Sequence, residues 1–108
     1  MIRLRVQDGP ERWRLEVRGH AEYNPGGPDI LCAAASALCC ALGRALEASG
    51  APGLAVLQSP GRFVLQARPE TPAQHGMIAL ARAGLDMLAE RYPGHIAWSE
   101  DAQTPGQG

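Results

Sequence analysis

The chain opens with two stretches in which apolar and polar residues alternate. In residues 2–7, Ile2, Leu4 and Val6 fall on one side, with Arg3, Arg5 and Gln7 on the other. Residues 12–18 repeat the pattern, with Trp13, Leu15 and Val17 set against Arg12, Arg14, Glu16 and Arg18. A period of two marks half-buried strands. Asp8-Gly9-Pro10 between them is a turn signal, so the segment predicts a β-hairpin. Its polar face carries five of the ten arginines, read as a solvated strand face.

The pattern then changes. Gly19 to Pro28 reads as a loop, because Gly26-Gly27-Pro28 sustains neither helix nor strand. Asp29 is a suitable N-cap for a helix from about Ile30 to Ala48. Through Leu42 that helix is apolar nearly all round and must be covered on more than one side, by the other helix or by a second copy of the chain. Residues 54–58 and 62–68 predict two short strands joined at Ser59-Pro60-Gly61. Thr71 and Gln74 have capping-box spacing, and Pro72 falls at the first position of a second helix. Met77, Ile78, Ala81, Leu85 and Leu88 are its buried side, and Arg82, Asp86 and Glu90 an exposed row. Tyr92-Pro93-Gly94 ends it, and His95 to Trp98 suits a final edge strand. Residues 100–108 are polar, with Gly and Pro, and read as a disordered tail. The expected fold is α+β: a two-layer sandwich of order ββαββα. An antiparallel sheet of four to five strands carries two helices on one face, in a single domain over residues 1–99.

Composition narrows the function classes. The 108 residues suffice for one core. The formal net charge of −1 offers no global basic field, so direct nucleic-acid binding is not expected. The N-terminus is interrupted by charge and forms no signal-peptide core. The apolar run Ile30 to Gly43 is 14 residues, short of the roughly 20 needed to span a bilayer. The expectation is a cytoplasmic protein without a membrane partner. The three cysteines, Cys32, Cys39 and Cys40, sit in one helical segment. Cys32 and Cys39 would be about 10 Å apart along the helix, too far for a disulfide, which suits a reducing compartment.

Cys32 lies three residues after the N-cap position, where backbone N–H groups point outward and the helix dipole is positive. Both features favour thiolate, and the same N–H groups suit an oxyanion. His20 ends the preceding strand, and the loop between them can return it over the helix start. On position alone, packing is the commoner role for such a cysteine. Cys39 and Cys40, two turns deeper, read as core. His20, Cys32 and Asp29 lack the paired spacing of a zinc site, so no metal or other cofactor is expected.

The segments Gly19-His20-Ala21 and Asp29-Ile30-Leu31-Cys32-Ala33-Ala34-Ala35-Ser36-Ala37-Leu38, separated by a glycine-containing loop, resemble the signature of the ribosomal-processing cysteine protease family, Prp. Leu31 and Ala35 stand where Val is common in that family, and Pro28 where an acidic residue is frequent. The resemblance implies a catalytic pair of His20 and Cys32, with supporting roles for Gly19, Asp29 and Ser36. Tyr23, Asn24, Gly26 and Gly27 would form the substrate loop. It further implies a homodimer and removal of an N-terminal extension from large-subunit ribosomal protein twenty-seven. The competing reading is a non-catalytic, ribosome- or RNA-associated dimeric module that uses the arginine-rich hairpin face.

Overall fold

The computed structural model describes residues 1–20 and 30–99. The two alternating stretches form strands β1 (Ile2–Asp8) and β2 (Trp13–Arg18). They pair antiparallel, with Val6 opposite Leu15 and Leu4 opposite Val17. Helix α1 spans Ile30–Ala48, and β3 (Ala55–Ser59) and β4 (Arg62–Ala67) make the second hairpin. Helix α2 spans Pro72–Arg91 and leads to β5 (Ile96–Trp98). The sheet order is β3-β4-β2-β1-β5.

This is the expected α+β order, with one correction: the sheet is mixed. β5 runs parallel to β1, with Ile2 opposite Ile96 and Leu4 opposite Trp98. The helix connection explains the direction. A helix packed on a sheet returns the chain in the sense of the strand it left. β4 is antiparallel to β2, which is antiparallel to β1. A strand delivered by α2 therefore runs with β1.

The core lies between the sheet and the helices. Leu31, Ala35, Cys39, Leu42 and Leu46 form the buried stripe of α1, and Ile78, Ala81, Leu85 and Leu88 that of α2. They meet Ile2, Leu4, Val6, Leu15, Phe63 and Leu65. The apolar length of α1 would permit a membrane span by composition; here its stripe is the centre of the core. The expectation that α1 is covered on more than one side is met by the sheet and by α2, where Leu38 lies against Gly84, but one small face is left open. Ala33, Ser36, Ala37, Cys40 and Ala41 remain exposed. The turn of the helix puts Cys40 about 100° from Cys39, outside the buried stripe, which corrects its assignment to the core.

Polar contacts fix α2 towards both ends. Thr71 Oγ1 accepts from the Gln74 N–H at 3.1 Å. The return bond departs from a standard capping box: Gln74 Oε1 accepts from the Glu70 N–H, one residue before the cap. Gln74 Nε2 also donates to Ser49 O at 3.2 Å, tying the start of α2 to the end of α1. At the far end, Trp98 Nε1 donates to Asp86 at 2.6 Å, and the Arg82 guanidinium lies 5.0 Å from the Trp98 ring centre. Arg82 and Asp86 are thus half-buried parts of a clamp on β5, not members of an exposed row. On the open face of the sheet, buried Glu16 pairs with Arg62 at 3.2 Å, Arg14 at 3.8 Å and Arg18 at 3.9 Å. The arginine face is organised around a carboxylate.

Gln74→Ala strands the Glu70 N–H and the Ser49 carbonyl. The expected cost is about 1–3 kcal/mol of unfolding free energy by chemical denaturation. Gln74→Leu, which restores volume but no polar atoms, should recover little of it.

Candidate active site

Two strand ends bring the site together. The β2–β4 ladder finishes at Arg18 opposite Arg62. One step beyond, the Gly19 N–H donates to the Gly61 carbonyl at 2.8 Å. Gly19 has φ +92°, and a Cβ there would collide with the Met1 carbonyl. No other residue type fits both limits. The chain therefore leaves β2 in one direction, and His20 lies over the β3–β4 turn. Gly61 completes the arrangement at φ +72°, where a Cβ would sit 3.1 Å from His20 Nε2. The bare backbone of Gly61 is the surface the imidazole rests on.

Across from this turn stands the first turn of α1. Cys32, its third residue, is half-buried. His20, Cys32, Ser36 and Gly19 line one cavity of about 140 Å³. Four of the expected site residues are therefore together. Asp29, Tyr23, Asn24, Gly26 and Gly27 lie outside the described residues. The cavity also holds residues that sequence reading missed: Gln58, Ser59, Gly61 and Arg62 from the β3–β4 hairpin. Ser59-Pro60-Gly61 is legible as a turn. That it lies beside His20 depends on β4 pairing with β2, which no local signal announces.

The three thiols differ sharply, and none is in a disulfide. Cys39 is 2% exposed, and burial pushes its thiol up to about 12, with Cys40 adding in the same direction. It stays protonated at neutral pH and is the core residue expected, with the added role of lining the cavity wall. Cys40 is exposed, and its sulfur accepts a long contact from Gln58 Nε2 at 4.0 Å. Cys32 combines partial exposure, a helix N-terminus and a histidine across the same cavity. Among the described residues, no three His, Cys, Asp or Glu side chains form a group suited to a metal ion.

The family model of the cysteine protease Prp matches residues 1–97. The chain belongs to the cysteine protease Prp family. Solved structures agree on the fold. The essential ribosomal processing protease Prp from S. aureus, in complex with a covalently linked product peptide, superposes with a TM-score of 0.79 at 20% identity, covering 92% of this chain and 98% of that one. The S. aureus protease in complex with a substrate peptide gives 0.75 at 18% identity, with the same coverage. SMU.848 from Streptococcus mutans gives 0.70 at 24% identity, covering 92% of each chain. No curated protein sequence matches. A cysteine protease needs a sulfur nucleophile beside a base, and in this member of the Prp family the shared cavity offers His20 with Cys32.

Cys39 should resist alkylation in the native state and react on unfolding, while Cys32 and Cys40 react in the folded protein; mass spectrometry of labelled peptides checks this. Its raised thiol carries a pH signature. Folding stability is unaffected below the ordinary thiol value of 9.0 and falls as pH rises from there towards about 12, because the unfolded chain loses the proton first. Cys39→Ala should remove that part of the alkaline slope.

Gly61→Ala and Gly50→Ala form a matched pair. Both glycines have φ +72°, but a Cβ at Gly50 meets nothing within 4 Å. Each should lose roughly 1 kcal/mol of stability from backbone strain. Only Gly61→Ala should shift the His20 ring signals in a proton–nitrogen NMR spectrum.

Proposed function

We propose that the protein is a ribosomal-processing cysteine endopeptidase in which His20 is the general base and Cys32 the nucleophile. The observation that carries this reading is their shared cavity, with Cys32 in the first turn of α1. The covalently linked product peptide of the S. aureus relative supports an enzyme-bound acyl intermediate.

The chemistry follows from the positions. His20 takes the Cys32 proton, and the thiolate attacks the scissile carbonyl carbon. The negative charge moves to the carbonyl oxygen, which the outward N–H groups of the α1 first turn stabilise. The C–N bond breaks as His20 returns its proton to the leaving amine, leaving a thioester on Cys32. Water then attacks the thioester while His20 accepts its proton. The C–S bond breaks, the peptide acid departs, and the proton returns to Cys32. Asp29 is assigned to capping α1, and Ser36, one turn beyond Cys32, to supporting the cavity wall. Tyr23, Asn24, Gly26 and Gly27 are assigned to the loop that covers the peptide.

The substrate proposed is the N-terminal extension of large-subunit ribosomal protein twenty-seven, in the reducing cytoplasm where Cys32 stays a thiol. The exposed small face of α1, together with Leu80 and Met87 at 75% and 52% exposure on α2, supports a homodimer that buries helices. The arginine face is not assigned to nucleic acid, since Glu16 lies within it and pairs with Arg14 and Arg18 of the hairpin and with Arg62 of β4.

A peptide spanning the extension junction is the direct test. Cys32→Ala and His20→Ala should each reduce cleavage by about a thousandfold or more, with unfolding midpoints close to the parent's. Cleavage that survives either change would overturn the pair.

A further inference from the structure

β3 is the terminal strand of the sheet, and all five of its residues are exposed. Val56 and Leu57 are 48% and 54% exposed. A terminal strand with large apolar side chains is a template for another strand, and folds usually blunt such edges with charge, proline or a bulge. β3 carries none of these between Ala55 and Ser59. Its helix-facing side, Leu54, Val56 and Gln58, forms one wall of a groove of about 340 Å³. Cys39 and Gly43 of α1 form the other wall, and Phe63 lies in the floor.

The groove is continuous with the candidate active site. Gln58, Cys39 and Phe63 line both. From Gln58 to Leu54 the wall extends about 13 Å, the length of some four extended residues. At Gly43 the helix lies close against the hairpin: a Cβ there would be in ordinary contact with Val56 at 3.7 Å and Leu65 at 3.6 Å. The β3 wall and the Phe63 floor are apolar apart from Gln58 at the cavity end, while Cys40, Arg44 and Glu47 complete the α1 side.

We propose that the substrate peptide binds here as an added strand, pairing its backbone with the open edge of β3. Apolar side chains at alternate positions then enter the groove between Leu54, Val56 and Phe63. This deepens the proposed protease function and rests on it, since the groove leads away from His20 and Cys32. An extended backbone suits the reaction, because the scissile carbonyl must be presented without internal hydrogen bonds. Main-chain pairing supplies affinity, and alternate side chains supply selection. An edge strand reads backbone, so the groove selects an extended stretch over a folded one, with apolar side chains at the positions that face Leu54, Val56 and Phe63.

The experiment uses Cys32→Ala protein and fluorescent peptides spanning the extension junction, with a single backbone N-methyl group moved along the peptide. Affinity should fall with a period of two over the stretch lying on β3, since alternate N–H groups face the strand. Val56→Asp, at an exposed position, should weaken the unmethylated peptide about tenfold or more with an unchanged unfolding midpoint. With Cys32 present, it should raise KM more than it lowers kcat. Peptide affinity indifferent to both N-methylation and Val56→Asp would overturn the proposal. So would loss of a dimer on Val56→Asp with peptide affinity intact, which would assign the edge to a second copy of the chain. Failure of the catalytic pair shows separately, as cleavage that survives Cys32→Ala.

Discussion

The hydrogen bond from the Gly19 N–H to the Gly61 carbonyl, 2.8 Å long, sets where the chain leaves the sheet. Both residues have positive φ, and each faces a neighbour that a side chain would displace: the Met1 carbonyl at Gly19 and the His20 ring at Gly61. The β2–β4 ladder has just ended at Arg18 and Arg62, so a change in register would move both glycines at once. A one-residue slip would also turn Phe63 and Leu65 out of the core. Burial of these side chains, at 8% and 0% exposure, thus enforces the alignment that positions His20. Stability and site geometry share one constraint.

The same coupling governs α1. Leu31, Ala35, Cys39, Leu42 and Leu46 must face the sheet, which fixes the rotation of the helix. Cys32 follows Leu31 and lies at the margin of the buried stripe, about 60° from its centre. That rotation gives it partial exposure on the side where β2 ends. Had the stripe begun one residue later, Cys32 would be a packing residue like Cys39.

Local signals carried much of this. Alternation located β1 and β2, and the start of α2 at Pro72 followed from Thr71 and Gln74. The joined motifs around Gly19-His20 and Asp29 to Leu38 marked the pair that shares the cavity. What escaped were relations between distant segments. The parallel entry of β5 follows from counting strand directions through two crossovers. Arg62 reaches Glu16 only once β4 lies beside β2. Cys40 was misread because the run Cys39-Cys40 is uniformly apolar, and a uniform run carries no phase to say which residue faces inward. Gln58 to Arg62 look like an ordinary turn until the sheet order places them next to His20.

The sheet order also accounts for the character of its edge. The hairpin β3–β4 has to be outermost on its side, because β4 takes the place beside β2 that supports His20. β3 is then left with one unpaired side, and its exposed apolar residues would be a liability in a protein that only needed to fold. In a protease whose substrate is an extended chain, the same edge lies where a peptide entering the cavity would run, joined to it through Gln58, Cys39 and Phe63. The pairing that places His20, the proposed base, therefore also exposes the strand proposed to hold the peptide. Strengthening that edge with charge or proline would guard against aggregation, and would remove the surface on which an extended substrate can be read.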